Sequence, residues 1–483
     1  MRLSYFFLLL VLSACQPDMR EENQFPPNII FILADDMGYG DIGAFNPATA
    51  ISTPALNQLA DEGMIFTDAH APAAVCVPSR YGLMTGRYPI RRSGTFAGSW
   101  IEPDRMTIAS LLSAQGYHTA CIGKWHLGMG ENEKDPGPEG MLTSGPVHRG
   151  FDYFYGIPAS LDIPPYYFVE NDRVVTLPTD SIADSNTPNM NPIQGAFWRG
   201  GKMSPGFAHE QVLPGLTQKS LDFLEKQKNA DKPFFMYLAL PAPHTPWLPL
   251  QAYQGKSKAG MYGDFVYQVD QSVGKVLDYL KEAGMEEETL VFFSSDNGPV
   301  WYPEDVERYR HSSVSSFAGM KGDAYEGGHR MPFIARWKGR IPAGSQSEQL
   351  ICFTDMMATF ADLLNVELNQ KTYAEDSHSF LPALLAEYAP HELRKELLVE
   401  SVYGLHALRV GDWVYINGKG SGGFSQGFPR PETDPLEGPP QLYNLSEDIS
   451  QKQNLYEVEK EVAAMMEKKM NKYLTLKAGM VLR

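Results

Sequence analysis

The stretch CVPSRYGLMTGR (76–87) sets a thiol, Cys76, four residues ahead of Arg80, with no second cysteine near it. A lone thiol can serve as a nucleophile or as a soft metal ligand. The other reactive residues are of a harder kind. Asp35 and Asp36 follow the apolar run NIIFILA (28–34), and Asp296 and Asn297 follow TLVFFSS (289–295). All four offer oxygen donors, which suit one Ca²⁺, or Mg²⁺, rather than a soft ion. Taken singly, an aspartate pair after a strand is as often a helix cap, and SDNG is more often a turn. Their shared placement is what points to a metal.

A basic set faces them: Arg80, Lys124 and His126 (GKWHLG), His244 (PAPH) and Lys321 (GMKGDAYEGGHR). Isolated, each of these is more often a solvated charge or a structural histidine. Gathered round a metal, they meet the needs of a tetrahedral oxyanion ester, with donors where charge develops and groups that exchange protons near neutral pH. The chain has 483 residues with 41 basic and 58 acidic side chains, a formal charge of −17. Such a balance argues against nucleic acid or an anionic membrane surface as partner. An anionic substrate must therefore meet a locally basic pocket.

The elements that position these groups read as alternating strands and helices, an α/β pattern with a sheet covered on both faces. Strands are expected at 28–34, 117–123, 233–240, 289–295 and 331–337. Helices are expected after Thr53-Pro54, with Thr53 as N-cap, and at 106–116, 215–229, 267–284 and 355–365. Four of the strands deliver carboxylates, amide, lysine and imidazoles just past their C-terminal ends, the edge where open α/β sheets bind ligands. Composition shifts twice. Residues 131–214 are rich in Pro, Gly and aromatics and read as an insertion over one face. From 381 to 483 the pattern is that of a small antiparallel sheet with a terminal helix at about 456–475, leaving 28–380 as the catalytic unit.

The nucleophile is the unsettled part. No G-x-S-x-G elbow occurs. Cys76 precedes a short helix expected from Pro78, and a helix N-terminus depresses a thiol's pKa. A thiolate nucleophile follows from that, yet a soft thiolate is a poor companion for hard oxygen ligands.

CVPSRYGLMTGR resembles the signature of the type I, formylglycine-dependent sulfatases, in which the cysteine of a C-x-P-S-R core becomes formylglycine (3-oxoalanine). NIIFILADDMGYGDIG, GKWHLG, PHTPW, SSDNGP, GMKG and QLYNLSEDISQKQNL are similar to that family's blocks, in its order, and span most of the chain from residue 26. The resemblance implies an alkaline-phosphatase-like sulfatase fold, a large mixed sheet between helices with a smaller C-terminal antiparallel sheet plus helix. It implies a calcium site of Asp35, Asp36, Asp296 and Asn297 with residue 76 alongside, and a maturation enzyme as partner. A formylglycine gem-diol would attack sulfur, displace the alcohol and leave a covalent sulfate, which the second hydroxyl then expels. Arg80 would orient residue 76, Lys124 and Lys321 would bind sulfate oxygens, His126 would take a proton from the diol, and His244 would protonate the leaving alcohol. Two rival readings stay open: a phosphoesterase of the same superfamily, and a sulfated-glycan-binding protein with residue 76 unmodified.

Residues 1–14 read as a secretory signal whose end, LSAC, resembles a bacterial lipobox. That implies cleavage before Cys15, lipidation of its thiol, and export to a bacterial membrane with 15–27 as a tether. The membrane enters only through that anchor. Cys121 and Cys352 fall in apolar runs and read as small buried hydrophobes, with a disulfide between them left open. His118 reads as structural, and His329-Arg330 in EGGHR as holding the Lys321 loop through Glu326. Trp198, Arg199, Lys202, Trp301, Arg308 and His311 are candidate contacts to a sulfated carbohydrate.

Overall fold

The computed structural model describes residues 26–92, 98–130, 140–387, 393–430, 432 and 437–476. The expected signal segment, the lipidation candidate Cys15 and nearly all of the tether lie outside the described residues. Among those described, no helix is long and apolar enough to cross a membrane.

In chain order the first elements are β1 (Asn28–Asp35), α1 (Pro54–Asp61), β2 (Met64–His70), α2 (Cys76–Thr85), α3 (Ile108–Ala114) and β3 (His118–Lys124). Then come β4 (Tyr153–Ile157), β5 (Val169–Glu170), β6 (Arg173–Val174), β7 (Asp180–Ile182), β8 (Gly201–Met203), α4 (Val212–Gln227), β9 (Phe234–Pro243), α5 (Gly260–Glu282) and β10 (Thr289–Ser295). They are followed by α6 (Pro303–Tyr309), α7 (Glu326–His329), β11 (Arg330–Arg336), β12 (Ser345–Ser347), β13 (Ile351–Cys352), α8 (Met356–Leu363) and α9 (Leu381–Leu384). The chain closes with β14 (Glu396–Glu400), β15 (His406–Val410), β16 (Trp413–Ile416), β17 (Gln441–Asn444) and α10 (Lys460–Leu474).

One mixed sheet runs β12-β2-β11-β10-β1-β9-β3-β4-β5-β6, with β13 also paired to β2. Its centre is parallel: β1 lies between β10 and β9, with Ile30 opposite Val291 and Met236, and β9 pairs in parallel with β3. Side chains alternate across a strand, and β1 uses both faces. Ile29, Phe31 and Leu33 enter one core, with Ile108, Leu112, Met356 and Phe360 of α3 and α8. Ile30, Ile32 and Ala34 enter the other, with Leu56, Leu216, Val269 and Val273 of α1, α4 and α5. Burial on both faces is why these strands read as unbroken apolar runs. The second sheet, β14-β15-β16-β17, is antiparallel and packs on Met466 and Met470 of α10.

Several expectations shift. β2 carries Asp68 and His70 amid its apolar residues and gives no clean strand pattern, yet it pairs antiparallel with β11. β4, inside the segment expected as an insertion, extends the main sheet in parallel with β3, so that segment is more than a cover. α5 begins at Gly260 and not at Tyr267, because Gly260 and Gly263 blur its periodicity. Thr53 does not cap α1 with its side chain. Its hydroxyl accepts from Gly43 N at 3.0 Å, and Asp270 instead accepts from Ala55 and Leu56 N at 3.3 and 2.8 Å.

Candidate active site

Because β10, β1, β9 and β3 are adjacent and parallel, their C-terminal ends share one edge. That edge carries Asp296 and Asn297 after β10, Asp35 and Asp36 at the end of β1, His244 after β9, and Lys124 and His126 at the end of β3. Cys76 and Arg80 come from the first two turns of α2, and Lys321 from the loop before α7. Nine of these ten lie at 8% exposure or less, and the tenth, His126, is of intermediate exposure. The β1–β9 register slips between Leu33 and Asp35, which re-aims the carboxylates. Asp36 and His126 hold left-handed backbone, φ 62° and 58°, a conformation that non-glycine residues adopt at a cost and that clusters at functional sites.

The basic and acidic sets interlock. Lys124 Nζ donates to Asp35 Oδ2 at 2.6 Å, and Lys321 Nζ lies 2.7 and 2.8 Å from the two oxygens of Asp36. Arg80 donates from Nε to Asp296 Oδ2 at 2.9 Å and from Nη1 to the Lys124 carbonyl at 2.9 Å. Asn297 Nδ2 donates to Asp36 Oδ1 at 2.6 Å. His244 Nδ1 meets the Thr245 carbonyl at 2.6 Å, which directs Nε2 toward Asp36 Oδ2, 3.6 Å away.

Charge placement sets the protonation states. Burial pushes Asp35 up, but Lys124, His244, Arg80 and Lys321 outweigh it and hold the carboxyl far below its usual range. Burial and the neighbouring Asp35 raise Asp296 to about 6. Burial opposes the charge on Lys321, yet Asp36 and Cys76 hold its pKa above the ordinary lysine value. His126 is driven well below the imidazole range by burial, Lys124 and Arg80, so it is neutral. Cys76 corrects the helix-terminus expectation. Burial raises its pKa, and the pull of Lys124 and Lys321 does not reverse this. As encoded, it is a buried, protonated thiol and a poor nucleophile.

The residues fit a hard cation. Three carboxylates and one amide converge, ligand atoms of Asp35, Asp36 and His244 lie within 4.8 Å of one another, and Asp35 Oδ1 and Asn297 Oδ1 are buried without a hydrogen-bond donor. Buried oxygens without donors are costly unless something positive satisfies them.

Other candidates separate from the site. His311 is a correction: its Nε2 pairs with Asp41 Oδ1 at 2.8 Å and its ring is buried. Trp301 is likewise interior, donating to the His311 carbonyl and packed on Tyr262, so neither can wall a cleft. Arg308 is exposed on α6, over the Tyr309 ring. Trp198 is half-buried and stacked on His209. Arg199 is exposed but paired with Asp162, and Lys202 is exposed on β8. His118 accompanies Gln227. Arg330 does reach Glu326, at 3.2 Å, while His329 faces His70 at 3.0 Å. Cys121 and Cys352 are both free and buried. Asp162, whose Oδ1 lies 3.9 Å from His244 Nδ1 and has no hydrogen-bond partner, escaped sequence reasoning. Nothing in SLDIPP marks it.

A sulfatase family model matches residues 27–366. The chain belongs to the sulfatase family. It is 32% identical to an N-acetylgalactosamine-6-O-sulfatase of Bacteroides thetaiotaomicron, over 95% of this chain and 96% of that one. It is 33% identical to arylsulfatase A of Homo sapiens, over 89% and 83% of the two chains. A solved structure from a study of glycosaminoglycan metabolism by Bacteroides thetaiotaomicron superposes with TM-score 0.81 at 31% identity, covering 93% of this chain and all of that one. The fold is the alkaline-phosphatase-like sulfatase fold, and the chain is a sulfuric ester hydrolase.

Proposed function

We propose that this sulfatase acts through formylglycine made from Cys76 by a dedicated maturation enzyme, with a calcium ion held by Asp35, Asp36, Asp296 and Asn297. The observation that carries the proposal is the mismatch at residue 76, where a thiol with a raised pKa sits among buried hard-oxygen donors and two lysines. A hydrated aldehyde in its place supplies two hydroxyls, one to attack sulfur and one to expel sulfate afterwards. The ion, when bound, supplies positive charge that polarises the ester and eases loss of a proton from the diol.

The chain's own side chains do the rest. Lys124 and Lys321, now on Asp35 and Asp36, turn to the sulfate oxygens and stabilise the charge that builds there. Arg80, fixed between Asp296 and the Lys124 carbonyl, holds residue 76 in line. His126 is neutral and can accept a proton from the diol. His244, its Nδ1 on a carbonyl, presents Nε2 to protonate the alcohol as the S–O bond breaks. The sugar is a unit of an extracellular sulfated glycan, consistent with the N-acetylgalactosamine-6-O-sulfatase relative. Residues 1–14 direct export, Cys15 carries the lipid, 28–380 form the catalytic unit and 381–483 the smaller one.

The test is a mass measurement on the peptide containing residue 76, paired with turnover of an aryl sulfate, on protein from a host that matures such cysteines. Formylglycine with sulfate release is expected, and a chelator should abolish the release. Turnover by protein carrying the unmodified thiol would overturn the mechanism. Release of the protein from membranes in Cys15→Ala tests the anchor, and an unchanged membrane fraction would exclude it.

A further inference from the structure

A cavity of about 190 Å³ opens beside the reaction centre, with Val77, Trp100, Met129, Ile163 and Pro164 in its wall. Val77 is the neighbour of Cys76, and His126 also lines the cavity, so it lies next to the reactive sulfate's position. Its chemistry contrasts with that position. Lys124, Lys321 and Arg80 surround residue 76, whereas no Asp, Glu, Lys or Arg side chain lines the cavity among the described residues. The nearest acid in sequence, Asp162, is not in its wall: Oδ2 pairs with Arg199, and Oδ1 lies 3.9 Å from His244 Nδ1. Trp100 is held in place: Arg92 donates to its carbonyl at 2.8 Å and stacks on its ring at 4.3 Å. The cavity is smaller than the roughly 300–1,000 Å³ of drug-sized ligand pockets, so it suits one ring or one ring substituent.

Resting on the sulfatase reading above, we propose that this cavity is a selectivity subsite that receives an uncharged sugar unit, neutral or N-acylated, and rejects one bearing a second sulfate or a carboxylate. The indole and aliphatic walls match the C–H face of a pyranose or an acyl methyl group. A second anion placed there would give up its water with no cation among the described lining residues to replace it. The inference therefore names a substrate class, glycans whose sulfated unit carries a single charge.

The experiment compares kcat/KM of the matured enzyme on N-acetylhexosamine 6-sulfates and on their N-sulfo counterparts, with an aryl sulfate as a measure of the reaction itself. The same pair is then run on Ile163→Lys, chosen because Ile163 is 36% exposed and a lysine can be accommodated. The wild type should favour the N-acetyl substrates by about 100-fold or more, the desolvation of an unpaired ion being costly. The added cation should shrink that ratio by about tenfold, a close charge pair in a partly dry site being worth that much. Equal turnover of both sugars by the wild type, an unchanged ratio in Ile163→Lys, or hydrolysis of the aryl sulfate with no sugar accepted would each overturn the subsite. Failure on the aryl sulfate as well would strike the sulfatase mechanism instead.

Discussion

Arg80→Met removes a charge while keeping much of the side chain's volume. Arg80 has no solvent exposure, and it is held by Asp296 Oδ2, 2.9 Å from Nε and 2.8 Å from Nη2. Asp35 Oδ1 lies 3.8 Å from the same guanidinium. Without it, two buried carboxylates face each other, and Asp296 is already raised to about 6 by burial and by Asp35 with the arginine present. Breaking a buried ion pair from one side costs about 3–5 kcal/mol, mostly because a charge is left uncompensated. A 483-residue chain unfolds with an entropy of about 1 kcal/mol/K, so Tm should fall by roughly 3–5 °C. Calorimetry in the presence of a chelator isolates this from any cation. Asp296→Asn on top of Arg80→Met should restore at least half of the loss, because the orphaned charge goes with it. A single variant melting within about 1 °C of wild type, or a double variant in which the two losses simply add, would refute the reasoning.

Three further outcomes follow from the same geometry. A Cβ on Gly298 would stand 1.9 Å from the Gly327 carbonyl oxygen, so Gly298→Ala must push α7 and the Lys321 loop away from Asn297. A misplacement of about 1 Å costs about 100-fold in rate, and undiminished kcat/KM on an aryl sulfate would show that the loop does not need this fit. His406 has both ring nitrogens unpartnered, and burial lowers its pKa to about 4. Its folded pKa lies below its unfolded value, so stability is intact above about pH 6.5 and drains as pH falls toward 4, by about 2 kcal/mol at pH 5. His406→Phe should escape that loss, and urea titrations showing the same wild-type-to-variant difference at pH 8 and pH 5 would contradict it. Finally, Ca²⁺ at 100 times its Kd should stabilise the protein by about 2.7 kcal/mol, and Asp35→Asn should weaken that gain. No thermal shift with Ca²⁺ or Mg²⁺ would mean the donor set holds no such ion.

The central strands were legible because β1, β9, β10 and β3 are buried on both faces and so carry continuous apolar runs. Polar residues stand out sharply where such a run stops. β2 was not legible, since Asp68 and His70 interrupt it to meet Arg330 and Arg409 in a buried ionic cluster whose other half lies far along the chain. The acidity of Cys76 was misread because a helix start acts through a partial charge, and full burial outweighs it. Trp301 and His311 follow Asp296 and Asn297 in sequence as cleft residues could, but Asp41 and Tyr262 draw them inward. Asp162 reaches His244 only through the path of the chain after β4, which no local pattern encodes.

The small C-terminal sheet looks separable in sequence, yet Lys321 depends on it. Gly322 N donates to the Ala74 carbonyl at 2.7 Å, and its own carbonyl accepts from Val402 N at 2.9 Å. Ala324 N donates to Ser421 O at 2.7 Å, Ser425 N to Asp323 Oδ1 at 3.1 Å, and Glu326 N to Gln451 Oε1 at 2.8 Å. Arg409 of β15 meets Asp68 of β2 at 2.5 Å, beneath the same loop. A loop bonded at nearly every second residue to a neighbouring unit cannot relax independently of it, and buried ionic contacts across that junction are costly to open. Lys321 is thus encoded in one unit and placed by the other. A boundary drawn from composition divides the chain where its sheets divide, and the active site does not respect it.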